Sequence, residues 1–139
     1  MRKVAPIVLA AIALVAAGCG SSQLSNAAFT SKANAICGAL NAKSAQLSGS
    51  GGVAALKTEE TLLSTSLTKL QALSPPSDRA TAFNAFLGEV KHVQALLRQL
   101  TSAATARNSA KIASIEAQVP DFESKGRSEA TAAGIKSCD

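Results

Sequence analysis

Two runs of helix-breaking residues, Ser48-Gly49-Ser50-Gly51-Gly52 and Ser74-Pro75-Pro76-Ser77, interrupt an otherwise persistent helical rhythm and fix what this chain can fold into. Glycines readily take the positive φ of a helix stop. Two successive prolines remove two backbone donors and push the residue before each out of helical geometry. Around these breakers apolar residues recur at three- and four-residue steps, the signature of helices with one buried face. The first block carries Phe29, Ala33, Ile36, Leu40 and Leu47 and predicts a helix from about Ala27 to Ser48. The second sets Val53, Leu56, Leu63, Leu67 and Leu70 on one face, widened by Leu62 and Leu73. No block reads as a strand. Of 139 residues 29 are Ala, which favours helix by intrinsic propensity.

The third block has the widest apolar face, Phe83, Phe86, Leu87, Val90, Val93, Leu97 and Leu100, and reads as the central helix. Ser77 is its candidate N-cap, with Asp78 in the first turn where the helix dipole favours negative charge. A short polar stretch from Thr105 to Asn108 leads to a fourth block of Ile112, Ile115, Val119, Phe122, Gly126, Ala130 and Ala133. Pro120 cannot donate to the carbonyl of Glu116, so a kink or a restart is expected there, and Gly134 is a helix stop. Connections this short favour antiparallel neighbours. The expected fold is all-α, an antiparallel up-down-up-down four-helix bundle in one domain.

The first eighteen residues have a different character. Arg2 and Lys3 precede fifteen uncharged residues, Val4 to Gly18, too short for a bilayer core that needs about 20. A basic start, a short apolar stretch and small residues describe an export signal. The run ends in Ala16-Ala17-Gly18-Cys19, which resembles the lipobox of bacterial lipoproteins, with Ala16 where Leu is commonest. The resemblance implies diacylglycerol on Cys19, cleavage between Gly18 and Cys19, and a further acyl chain such as palmitate on the new amino group. Several acyl chains, at about 0.8 kcal/mol per buried CH₂, hold a protein to a membrane. The division expected is a signal peptide over residues 1–18, a lipidated Cys and Ser/Gly tether over 19–26, and a helical domain over 27–139. The product would be exported and anchored to the outer face of the cell membrane, or to the outer membrane in a diderm.

With Cys19 acylated, Cys37 and Cys138 remain, an even pair in an oxidising compartment. A disulfide between them is the expected state, with free thiols the alternative. No Cys-x-x-Cys pair exists to lower a thiol pKa, and two thiols with one remote His92 do not make a zinc site. Closing a loop of about 100 residues is worth up to ~4.7 kcal/mol in the chain-entropy model. Loss of the signal removes two of 14 basic residues and leaves 12 against 9 acidic. They are spread singly, without the stripe that nucleic acid requires.

Taken with the lipobox, Ala33-Asn34-Ala35-Ile36-Cys37, Leu73-Ser74-Pro75-Pro76 and Gly134-Ile135-Lys136-Ser137-Cys138 resemble small lipoproteins of actinobacteria. That resemblance implies an all-helical, disulfide-bonded domain and supplies no activity.

Chemistry is sparse. His92 is the sole histidine and lies beside the core positions Val90 and Val93, where a solvated ring is expected. Glu89-Val90-Lys91-His92 has the Glu-x-x-His spacing of di-iron bundles, but such sites need two of these motifs. Glu59-Glu60 reads as a solvated face rather than an acid/base pair, since helical neighbours point about 100° apart. The glycines after the first helix lack the strand-loop-helix context of a phosphate loop. No Trp or Tyr is present to stack on sugars. The expectation is a non-enzymatic protein without metal or cofactor, bound to the membrane through Cys19, whose bundle serves structurally or meets an envelope protein partner. The alternative is a carrier of a small hydrophobic ligand or lipid, held between the second and third helices.

Overall fold

A computed structural model describes residues 22–47 and 49–138. Over these residues the chain is all-helical, with no strand among them. The helices are α1 (Asn26–Leu47), α2 (Val53–Gln71), α3 (Ala80–Thr105), α4 (Ser109–Glu116) and α5 (Val119–Ala132). The expected export signal, with Gly18 and Cys19, lies outside the described residues, as does Ser48.

The segment just ahead of α1 is fastened to the domain. The Leu24 amide donates to the Ser74 carbonyl at 3.0 Å, and Leu24 packs against the core. Ser25 comes next as the cap, its Oγ accepting from the Ala28 amide at 3.2 Å, which satisfies one of the orphan donors of the first turn. At the other breaker Gly52, with φ +94°, leads into α2, a backbone setting that a Cβ would strain.

The third helix starts later than Ser77 suggests. Ser77, Asp78 and Arg79 form a turn closed by the Arg79 amide on the Pro76 carbonyl at 3.0 Å, and α3 begins at Ala80 without a side-chain cap. The prolines account for the difference: the chain must complete a turn before successive amides can find helical acceptors. The far end of α3 closes with Arg107 in the left-handed region at φ +53°. The Arg107 amide bonds to the Ala104 carbonyl and the Asn108 amide to the Ala103 carbonyl, a Schellman closure with arginine where glycine is usual. Asn108 then caps α4, its Oδ1 accepting from the Lys111 amide at 3.0 Å.

The fourth apolar block is two helices. α4 ends with the Gln118 amide on the Ile115 carbonyl, and α5 restarts at Val119 with Pro120 in its first turn, where a missing donor costs nothing, and Asp121 beside it. The apolar rhythm survives this break. Ile112, Ile115, Val119, Phe122, Gly126, Ala130 and Ala133 are all buried or half-buried.

α3 packs against α2, α5 and α4, while α1 packs against α2. Two cores result. The larger joins Phe29, Ala33 and Cys37 of α1, Leu67 and Leu70 of α2, Phe83, Phe86 and Leu87 of α3, and Ala130, Ala133 and Ile135. Phe29 and Phe83 meet edge to face, their ring centroids 4.9 Å apart. The smaller core holds Leu96, Ala103 and Ile115, flanked by Leu100, Ile112 and Phe122.

Candidate functional site

Cys37 and Cys138 are bonded to each other, 101 residues apart in sequence and 5.0 Å apart between Cα atoms. Cys37 lies on the buried face of α1, and Cys138 reaches it because the chain leaves α5 through Gly134 and folds back. Gly134 has φ +78°, its amide bonds to the Thr131 carbonyl and the Ile135 amide bonds to the Ala130 carbonyl. The left-handed backbone favours glycine there. A Cβ would also overlap the Arg79 guanidinium, which donates from Nη1 to Thr30 Oγ1 at 2.8 Å and to the Ala133 carbonyl at 3.2 Å. Arg79 thus sets a cation at the C-terminal pole of α5 from another part of the chain. Beyond it Asn34 Oδ1 accepts from the Lys136 and Ser137 amides at 2.8 and 2.9 Å, and Asn41 donates to the Ser137 carbonyl. The C-terminal tail is held on α1 by two asparagines and a covalent bond.

The packing leaves several recesses, and two of them share part of their lining. One, of about 390 Å³, borders the Cys37–Cys138 bond and lies among α1, α2, α3 and α5, with Leu40, Leu63, Phe86, Val90, Val93 and Phe122 in its wall. The other, of about 640 Å³, opens where α1 passes into α2, against Leu47, Val53, Leu56, Leu100 and Ile112. Ser44 and Glu59 line both. Their side chains are hydrogen-bonded, the Ser44 hydroxyl donating to Glu59 Oε1 at 2.6 Å, so a polar bar divides the two spaces.

That pair was open to discovery in the sequence. The apolar stripe of α1 runs Leu40 to Leu47 with a gap at Ser44, and that of α2 runs Leu56 to Leu63 with a gap at Glu59. A polar residue at the missed beat of two neighbouring stripes signals a polar contact inside the bundle. The expected solvated face of Glu59-Glu60 is therefore only half right. Both residues are half-buried; Glu60 pairs outward with Arg98 Nε at 3.1 Å while Glu59 turns to Ser44.

His92 is exposed as expected, its side chain 62% accessible, and its ring stands edge-on to Phe122 at 5.4 Å. Its Nδ1 lies 3.6 Å from Glu89 Oε2, an ion-pair distance too long for a hydrogen bond. Glu89 Oε2 is itself buried with no hydrogen-bond partner. Among the described residues no group of three or more His, Cys, Asp or Glu is placed to hold a metal, and no helix is long and apolar enough to cross a membrane. No family model matches the chain, and neither a curated protein nor a solved structure shows significant similarity to it.

Proposed function

We propose that the chain is a lipid-anchored protein of the cell envelope, non-enzymatic, whose helical domain binds a partner or serves structurally at the membrane surface. The observation that supports it most is the Cys37–Cys138 bond, because a structural disulfide persists in oxidising compartments outside the cytosol. The lipobox resemblance at Ala16-Ala17-Gly18-Cys19 supplies the anchor, acyl chains on Cys19 after cleavage at Gly18. The place of attachment is the outer face of the cell membrane, or the outer membrane of a diderm.

In this reading the helical segments run alternately up and down, with α4 and α5 together making the fourth. Three contacts support the arrangement. Leu24, ahead of α1, bonds to Ser74, beyond α2; Ser44 near the end of α1 bonds to Glu59 early in α2; and Glu60 pairs with Arg98 late in α3. Leu24 is five residue steps past Cys19, a span of at most about 18 Å when fully extended. The Ser74-to-Ser77 turn would then lie near the bilayer, and the larger recess, beside Gly51 and Gly52, would face away from it.

The anchor is tested by fractionating cells that carry Cys19→Ser. Release of the full-length chain from the membrane pellet, with loss of palmitate labelling, is expected. Retention of the variant in the pellet would contradict the anchor.

A second reading, a carrier of a small hydrophobic ligand, is favoured by the recess beside the disulfide, whose volume falls in the range of about 300–1,000 Å³ typical of ligand pockets. It is bounded by four helices, two more than the pair that the sequence suggests.

A further inference from the structure

We propose that the recess beside the disulfide takes a small amphiphilic amine, with its hydrocarbon part among Leu40, Leu63, Phe86, Val90, Val93 and Phe122 and its ammonium on the carboxylate of Glu59. The assignment rests on the carrier reading and adds the charge of the ligand.

Charge selects the ligand. The wall includes Glu59, Glu89, Glu123 and Arg127. Glu123 and Arg127 are exposed and opposite in sign, so together they add no net charge to the wall. Glu59 and Glu89 are half-buried; the structure records no ion pair for Glu59 among the described residues, and Glu89 has the exposed His92, whose Nδ1 lies 3.6 Å from its Oε2. Glu59 accepts a hydrogen bond at Oε1 from the uncharged Ser44 hydroxyl, at 2.6 Å. Glu89 Oε2 is buried without any hydrogen bond. Carboxylates withdrawn from water without a compensating cation are unfavourable, and the penalty grows as apolar walls exclude solvent. An ammonium in the recess gives Glu59 a charge-assisted hydrogen bond and lowers the electrostatic penalty at Glu89. A neutral alcohol of the same length does neither, and a fatty acid brings a further carboxylate into the same space. The expected order of binding is amine, then alcohol, then acid.

The test is a titration of the full-length chain, carrying Cys19→Ser so that no acyl chain competes, with octylamine, octanol and octanoate, followed by methyl NMR. At about pH 7 the amine is protonated and the acid ionised. Saturable shifts at Leu63, Val90 and Val93 are expected, with octylamine binding about tenfold more tightly than octanol and octanoate weakest, as one charge-assisted hydrogen bond implies. Glu59→Gln should bring amine and alcohol to within about twofold of each other. Glu60→Gln removes the same charge from the adjacent position outside the recess and should leave the preference intact. Should Glu59→Gln lose its methyl dispersion, Glu89→Gln is the second variant and should shrink the preference to about threefold by long-range attraction alone. Equal binding of amine and alcohol, a preference for octanoate, or an amine preference that survives in a folded Glu59→Gln protein would overturn the amine assignment and leave a carrier of other specificity. No saturable shift with any of the three probes would overturn the assignment and the carrier reading together.

Discussion

The two ends of this molecule are built from the same kinds of residue and closed to different degrees. At one end Phe29, Phe83 and Ile135 are within 1% of complete burial, Arg79 binds the last carbonyls of α5, and the tail is fastened to α1 by Asn34, Asn41 and a disulfide. At the other end Leu47, Val53, Leu56, Leu100 and Ile112 stay half-buried around a recess of about 640 Å³. The difference lies in the residues just past each helix stop. Gly134 leads to Ile135 and Cys138, which return into the core, whereas Ser50, Gly51 and Gly52 carry no apolar side chain to fill the space they enclose. Apolar content alone does not make a closed core; the connections must contribute to it.

Replacing both Cys37 and Cys138 by Ser attacks the closed end most directly. A loss of about 4 kcal/mol in chemical denaturation is expected, since a loop of about 100 residues is released in the unfolded state. A loss below about 1 kcal/mol would mean that the bond adds nothing to a closure already made by packing. Next in size is a paired substitution. Phe83→Ala should cost about 3–5 kcal/mol, as a buried aromatic does, while Leu56→Ala at the open end should cost about 1 kcal/mol because little of its surroundings is lost. Equal costs would erase the distinction between the ends.

Much of this was legible in the sequence, for reasons that also mark its limits. The helical blocks, the stop at Gly134 and the restart near Pro120 are local consequences of spacing and of φ preference, and each can be read from a few neighbouring residues. Arg79 and Asn34 could not be read in that way. Their partners, Thr30 with Ala133 and the amides of residues 136 and 137, are remote in sequence, and nothing in the neighbourhood of either residue announces them. Ser77 illustrates a local rule overridden by a neighbouring one, a good cap placed too close to two prolines. Leu96 and Ala103 lie off the main stripe of α3 and are buried because Ile115 of α4 covers them, a face created only when the fourth block breaks. At the recess, Ser44 and Glu59 were legible as gaps in two stripes. Their meeting was not, because it depends on how α1 and α2 are set against each other.

Gly134→Ala should destabilise by about 1–2 kcal/mol through the left-handed backbone, with the Arg79 guanidinium displaced to make room. Alanine in place of Gly126, which has only ordinary contact with Glu89, should change thermal stability far less. Smallest is a change of opposite sign: Arg107→Gly should raise the thermal midpoint by about 0.5–1 kcal/mol equivalent, since arginine is held at φ +53° there. A lowered midpoint would show that the Arg107 side chain contributes more than its backbone strain removes.

The contrast between the two ends is tested most directly by native-state amide hydrogen exchange on the oxidised full-length protein. The amides of Ala33, Phe83 and Ile135 should exchange only through global unfolding, while those of Leu56, Glu59 and Ala104 around the larger recess should exchange through local opening at a free energy at least about 2 kcal/mol lower. Uniform protection along α1, α2 and α3, or faster exchange at the disulfide-bonded end, would contradict the account.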